Sequence, residues 1–186
     1  MPGMPYPPLA DLETLAALFY DTLDELGQFT EVEPVEMPPV YQHLLAHEEH
    51  MTVTVEQYYG DRVDVEVVAK RHDPPHYSRK ILLRRREDHV VVQYGIVRIN
   101  LGVLAEQVRD EILSERWPLG TILIRHDVLR RVRLLNLWRV EAGPDLQRLF
   151  ELDGSQTTYG RTAVIDCNDE PAIELIEIVR EGLGHG

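Results

Sequence analysis

Two periodicities alternate along the chain. In PLADLETLAALFYDTLDELG, Leu12, Leu15, Ala16, Leu18, Phe19, Leu23 and Leu26 recur near helical spacing, which gathers apolar side chains on one face. Asp11 is placed to cap the first turn and Gly27 to stop the helix. PPVYQHLLAHEEH predicts a second, shorter helix opening after its prolines. From Met51 the texture reads as period two: MTVTVEQYY, then RVDVEVVAK, where Val63, Val65 and Val67 alternate with Asp64 and Glu66. Two strands are expected there, with Gly60-Asp61 as the hairpin turn between them.

HDPPH at 72–76 reads as a loop. YSRKILLRRREDHVVVQYGIVRI predicts two strands split at Glu87-Asp88, and 101–117 a helix stopped by Pro118. After PLGTILI comes a long strand around 129–141, then a short helical turn in PDLQRLFEL. Two final strands, TTYGRTAVIDC and EPAIELIEIV, meet at Asn168-Asp169. Consecutive strands with helices between groups of them predict an α+β fold with a mostly antiparallel sheet. No linker divides the chain, so 1–186 is expected to be one domain.

Strand alternation also sorts the charged residues. Arg79 shares a face with Tyr77, Ile81 and Leu83, while Ser78, Lys80, Leu82, Arg84 and Arg86 share the other. Arg98 has the parity of Tyr94 and Ile96. Arg161 is the charged member of Tyr159, Ala163, Ile165 and Cys167, and Glu177 stands among Ile173, Leu175 and Val179. Buried arginine is rare unless paired. One reading is a structural ion pair, with Glu177 neutralising Arg79, Arg98 or Arg161. The other is a closed pocket whose guanidiniums outnumber its carboxylate and take a small dianion through planar two-pronged contacts.

Composition narrows the partners. The formal net charge is −13, from 19 Lys and Arg against 32 Asp and Glu. That balance argues against a nucleic-acid or anionic-membrane binder. Arg84–Arg86 precede Glu87 and Asp88 and read as a solvated strand end. Cys167 is the only cysteine, which excludes an intrachain disulfide and a cysteine zinc cluster. The first residues lack the basic and apolar regions of a signal peptide, and no apolar run approaches the ~20 residues of a membrane span. A cytoplasmic protein is expected.

Six stretches in order resemble the chorismate lyase family: LLAHEEHMTVTVEQYY, YSRKILL, YGIVRINL, WPLGTIL, YGRTAVI and EPAIELIEIV. The resemblance covers roughly 40–180, which it implies is the core, and leaves the N-terminal helix within 1–30 as an addition. It implies a mostly antiparallel sheet covered by helices, and a carbon–oxygen lyase that eliminates pyruvate from chorismate, giving 4-hydroxybenzoate beneath closing flaps. By resemblance, Arg79 binds the ring carboxylate and Arg98 is a second arginine. Met51, and Leu119 with Gly120, supply backbone contacts. Glu177 meets the hydroxyl and ether end as hydrogen-bonding group or general acid, so Arg79 and Glu177 are the catalytic candidates. Arg161 also matches, although Thr162 stands where a second arginine is common. Aromatisation drives the reaction, so no metal or other cofactor is expected.

Two other readings compete. His43, His47 and His50 cluster, but HEEH is one residue short of the H-E-x-x-H zinc pattern. The alternative to catalysis is an effector-sensing domain of the same fold, which binds a small aromatic or carboxylic acid without turning it over.

Overall fold

The computed structural model describes residue 9 and residues 11–180. Its strands are β1 (Gly27–Val32), β2 (Val63–Asp73), β3 (His76–Arg85), β4 (Val91–Asn100), β5 (Arg130–Ala142), β6 (Thr157–Cys167) and β7 (Glu170–Val179). They form one antiparallel sheet in the order β1-β5-β6-β7-β4-β3-β2. Two meanders, β2-β3-β4 and β5-β6-β7, therefore meet along β4 and β7, and β1 extends the β5 side. The helices are α1 (Leu12–Ala16), α2 (Pro39–Leu45), α3 (Met51–Tyr59), α4 (Glu106–Leu113), α5 (Leu119–Arg125) and α6 (Pro144–Leu149). The expected α+β class, an antiparallel sheet covered by helices, is the observed one.

The two sheet faces carry different cores. Leu82, Tyr94, Ile96, Ile176 and Ile178 point to one face, where they meet Leu12, Leu15 and Ala16 of α1 and Leu146 and Leu149 of α6. The opposite face carries two clusters. One joins Ile81, Leu83 and Val179 to α2 and α3 through Tyr41, Leu44, Met51 and Val55. The other joins Val97, Ile165 and Leu175 to α4 and α5 through Val108, Ile112, Leu119 and Ile122. The seam between these two clusters positions the site.

Several elements differ from expectation. MTVTVEQYY is helix α3, not a strand. Its β-branched residues suit a strand, but Met51, Thr54 and Val55 also fall on one helical stripe, and their burial decides. Gly60 ends that helix in the left-handed region at φ 66° rather than turning a hairpin. The hairpin lies instead at Pro74-Pro75, where β2 and β3 run up to both sides of the expected loop.

Asp11 does cap α1, accepting from the Thr14 N–H at 2.8 Å, but the helix ends at Ala16. A 3₁₀ turn follows at Leu23–Glu25. Gly27 then opens β1 against β5, where an added Cβ would meet the Glu141 carbonyl at 2.6 Å. The expected 101–117 helix is a short 3₁₀ turn followed by α4. Pro118 opens α5.

Candidate functional site

The site is built on one cross-strand row. Ile81, Gly95, Glu177, Arg161 and Leu137 stand opposite one another in turn on β3, β4, β7, β6 and β5. Directly opposed residues in an antiparallel ladder point to the same face, so this row crosses the seam. Gly95 contributes no side chain there. A Cβ built on it would lie 3.4 Å from Ile81 side-chain atoms. Arg79 lies in the next row, opposite Val97, which in turn opposes Leu175.

A cavity of about 40 Å³ opens over Gly95. That is room for about three or four waters at about 10–15 Å³ each. Arg79, Gln93 and Glu177 supply polar wall from the sheet, with Ile81, Val97 and Leu175 between them. His50, Met51 and Thr52 close it from the start of α3, and Leu119 and Gly120 from the start of α5. Gly120 lets the two helices approach: a Cβ there would come within 3.2 Å of the His50 Cβ.

Arg79 is 1% exposed, and its Nε and Nη1 have no hydrogen-bond partner. Burial pushes its pKa down, while Tyr77 and Glu115 support its charge. Glu115 itself is held elsewhere, accepting from Lys70 Nζ at 2.7 Å and the Tyr77 hydroxyl at 2.8 Å. Leaving buried donors unmade is costly, about 1–3 kcal/mol each and more for a charged group. The N-terminus of α3 adds to the positive potential, because its first N–H groups lack helical partners and no side chain caps them.

Arg161 is equally buried but fully engaged. Its Nε donates to Glu177 Oε2 at 2.7 Å, Nη1 to the His47 carbonyl at 2.9 Å and Nη2 to the Glu49 carbonyl at 2.9 Å. It thereby ties β6 and β7 to the segment between α2 and α3. Glu177 lines the cavity; Arg161 stands behind it.

Arg98 is not part of this arrangement. It opposes Ser78 and Glu174, so it points to the other face, where it donates to Glu174 at 2.6 Å. Sequence parity assigned it correctly to the face of Tyr94 and Ile96. What alternation within one strand lacks is the register that relates that face to Arg79. The structure thus brings Arg79, Met51, Leu119, Gly120 and Glu177 to one cavity, sets Arg161 behind it, and removes Arg98.

The three histidines do different things. His50 Nε2 accepts from Arg130 Nε at 2.8 Å, and burial, then Arg130 and Arg161, push its pKa down to about 4. It is neutral at pH 7. His47 donates Nε2–H to the Leu44 carbonyl at 2.7 Å. His43 lies beside the Tyr58 ring. Among the described residues no group of three or more His, Cys, Asp or Glu is arranged to hold a metal ion.

Gln93, Thr52 and His50 were missed as cavity residues. Gln93 was within reach of the same alternation, as the polar member of Val91, Gly95, Val97 and Ile99. No described helix is long and apolar enough to cross a membrane.

No family model matches the sequence, and no curated protein matches it. Solved structures share the fold. PhnF from Mycobacterium smegmatis matches with a TM-score of 0.55 at 13% identity, over 70% of this chain and 63% of that one. This chain therefore spans less than two thirds of that protein. The effector domain of the same PhnF matches with a TM-score of 0.51 at 12% identity, over 71% of this chain and 88% of that one. The C-terminal domain of the histidine utilization repressor from Pseudomonas syringae pv. tomato matches more loosely, at TM-score 0.45 and 13% identity, over 67% and 98%.

The lyase expectation is corrected on this finding. Neither of the two PhnF structures that share the fold is described as a lyase, and one of them is an effector domain. Arg98 faces away from the cavity, and Glu177 accepts from Arg161.

Proposed function

We propose that this chain is a binding module for a small carboxylic acid, held beside Arg79 and released unchanged. The observation that carries this reading is the buried Arg79 guanidinium on the wall of a cavity, whose Nε and Nη1 have no hydrogen-bond partner. A carboxylate supplies two acceptors in the plane of that fork, the strongest neutral-pH partner for it. The α3 N-terminus favours the same charge.

The charge count favours a monoanion over the dianion expected from sequence. Arg79 and Arg161 contribute two positive charges, Glu177 one negative, and His50 is neutral. One charge is left to balance. The enclosed volume is smaller than such a ligand, so uptake requires α3 and α5 to part from the sheet. The fold shared with an effector domain supports a module that senses rather than converts.

The test is calorimetric titration with benzoate, 4-hydroxybenzoate and hexanoate, together with chorismate incubation. Saturable binding that Arg79→Met abolishes, with chorismate recovered intact, is expected. Binding unaffected by Arg79→Met, or steady pyruvate release, would overturn the reading.

A further inference from the structure

A second buried polar group shares the cavity with Arg79. Gln93 is 3% exposed, and its Oε1 has no hydrogen-bond partner. Native interiors rarely strand such a group, and Arg79 and Gln93 line one and the same cavity. Their positions are ordered along β4. Gln93 opposes Leu83 and Val179, Gly95 opposes Ile81 and Glu177, and Arg79 sits opposite Val97. Four residues of strand, roughly 13 Å, therefore separate the level of Gln93 from that of Arg79. The bare backbone of Gly95 lies midway.

We infer that Gln93 reads the end of the ligand remote from its carboxylate. This rests on the proposal that Arg79 binds that carboxylate. The ligand lies along β4 over Gly95 and presents a neutral hydrogen-bonding group, such as a hydroxyl, to the amide. A second carboxylate does not suit this end, since no unpaired cation lines the wall there. The unpartnered Oε1 is an acceptor, so it matches a hydroxyl that donates to it. An acid lacking the remote group leaves the amide stranded, and sites built to hydrogen-bond a hydroxyl discriminate strongly against its absence.

The experiment compares acids differing by one remote hydroxyl: 4-hydroxybenzoate against benzoate, and 6-hydroxyhexanoate against hexanoate. Each is titrated into the wild type, Gln93→Leu and Arg79→Met. In at least one pair the wild type is expected to favour the hydroxylated acid by tenfold or more. In Gln93→Leu that ratio should collapse to within twofold. The melting temperature of ligand-free Gln93→Leu should hold or rise, because a stranded amide is replaced by an apolar group. A ratio that persists in Gln93→Leu, or a wild type that binds both members equally through Arg79, would overturn the role of Gln93 alone. Loss of several degrees in Gln93→Leu with the ratio intact would make it a structural residue. If no acid binds, or Arg79→Met binds as well as the wild type, the proposed carboxylate site itself falls.

Discussion

Arg161 and Glu177 stand directly opposite each other on β6 and β7, and the guanidinium Nε donates to the carboxylate at 2.7 Å. Arg79, two strands away on the same face, has no such partner. The two arginines are equally hidden from water, so their substitution should have opposite consequences. Arg161→Met leaves Glu177 buried and uncompensated and removes the donors to His47 and Glu49. It is expected to cost about 3–5 kcal/mol. Arg79→Met removes a desolvated charge with no ion-pair partner and two unmade donors, and the ligand-free protein should be unchanged or more stable by about 1–3 kcal/mol. Urea denaturation of both variants without ligand reads the contrast. Equal destabilisation would mean that Arg79 has a structural partner.

Arg98 serves as the control for face assignment. It pairs with Glu174 on the far side of the sheet and is partly exposed. Arg98→Gln should change acid affinity by less than twofold and stability by at most about 1 kcal/mol. Calorimetry with 4-hydroxybenzoate checks this, and a tenfold loss of affinity would return Arg98 to the site.

His50 gives a pH signature. Its pKa falls from 6.5 to about 4, because burial and then Arg130 and Arg161 disfavour the charged ring. In the unfolded chain it takes up a proton near pH 6.5, so the unfolded state binds more protons between there and pH 4. Stability is therefore full above about pH 6.5 and declines as pH falls toward 4, by about 2–3 kcal/mol allowing for partial exposure. His50→Gln keeps an acceptor for Arg130 and should flatten that part of the profile. Denaturation midpoints at pH 7 and 4.5 compare the two, and parallel declines would remove His50 as the cause.

Alternation within strands made much of the site legible. Arg79, Arg161 and Glu177 are charged residues at apolar parity, and all three are buried on one face. Relations between strands were not legible. Arg98 has the parity that sequence assigns it, yet only its pairing with Ser78 and Glu174 shows that this face is opposite Arg79. Lys80 makes a related point. It lies on the more polar face of β3 but is buried, because Tyr20 and Asp145 arrive from distant segments to meet it. In α3, alternating Thr and Val imitated a strand, and tertiary burial of Met51 and Val55 overrode that preference. The long N-terminal periodicity hid a break after Ala16, since its apolar side chains join one core cluster from two short helical pieces and the segment between them.

The central claim is that Arg79 holds a carboxylate. Titration of 4-hydroxybenzoate into wild type and Arg79→Met, at matched pH and salt, tests it most directly. Saturable binding in the wild type and a loss of at least about 2 kcal/mol, some thirtyfold or more, in Arg79→Met is the predicted result. Equal affinity in the two proteins would contradict it.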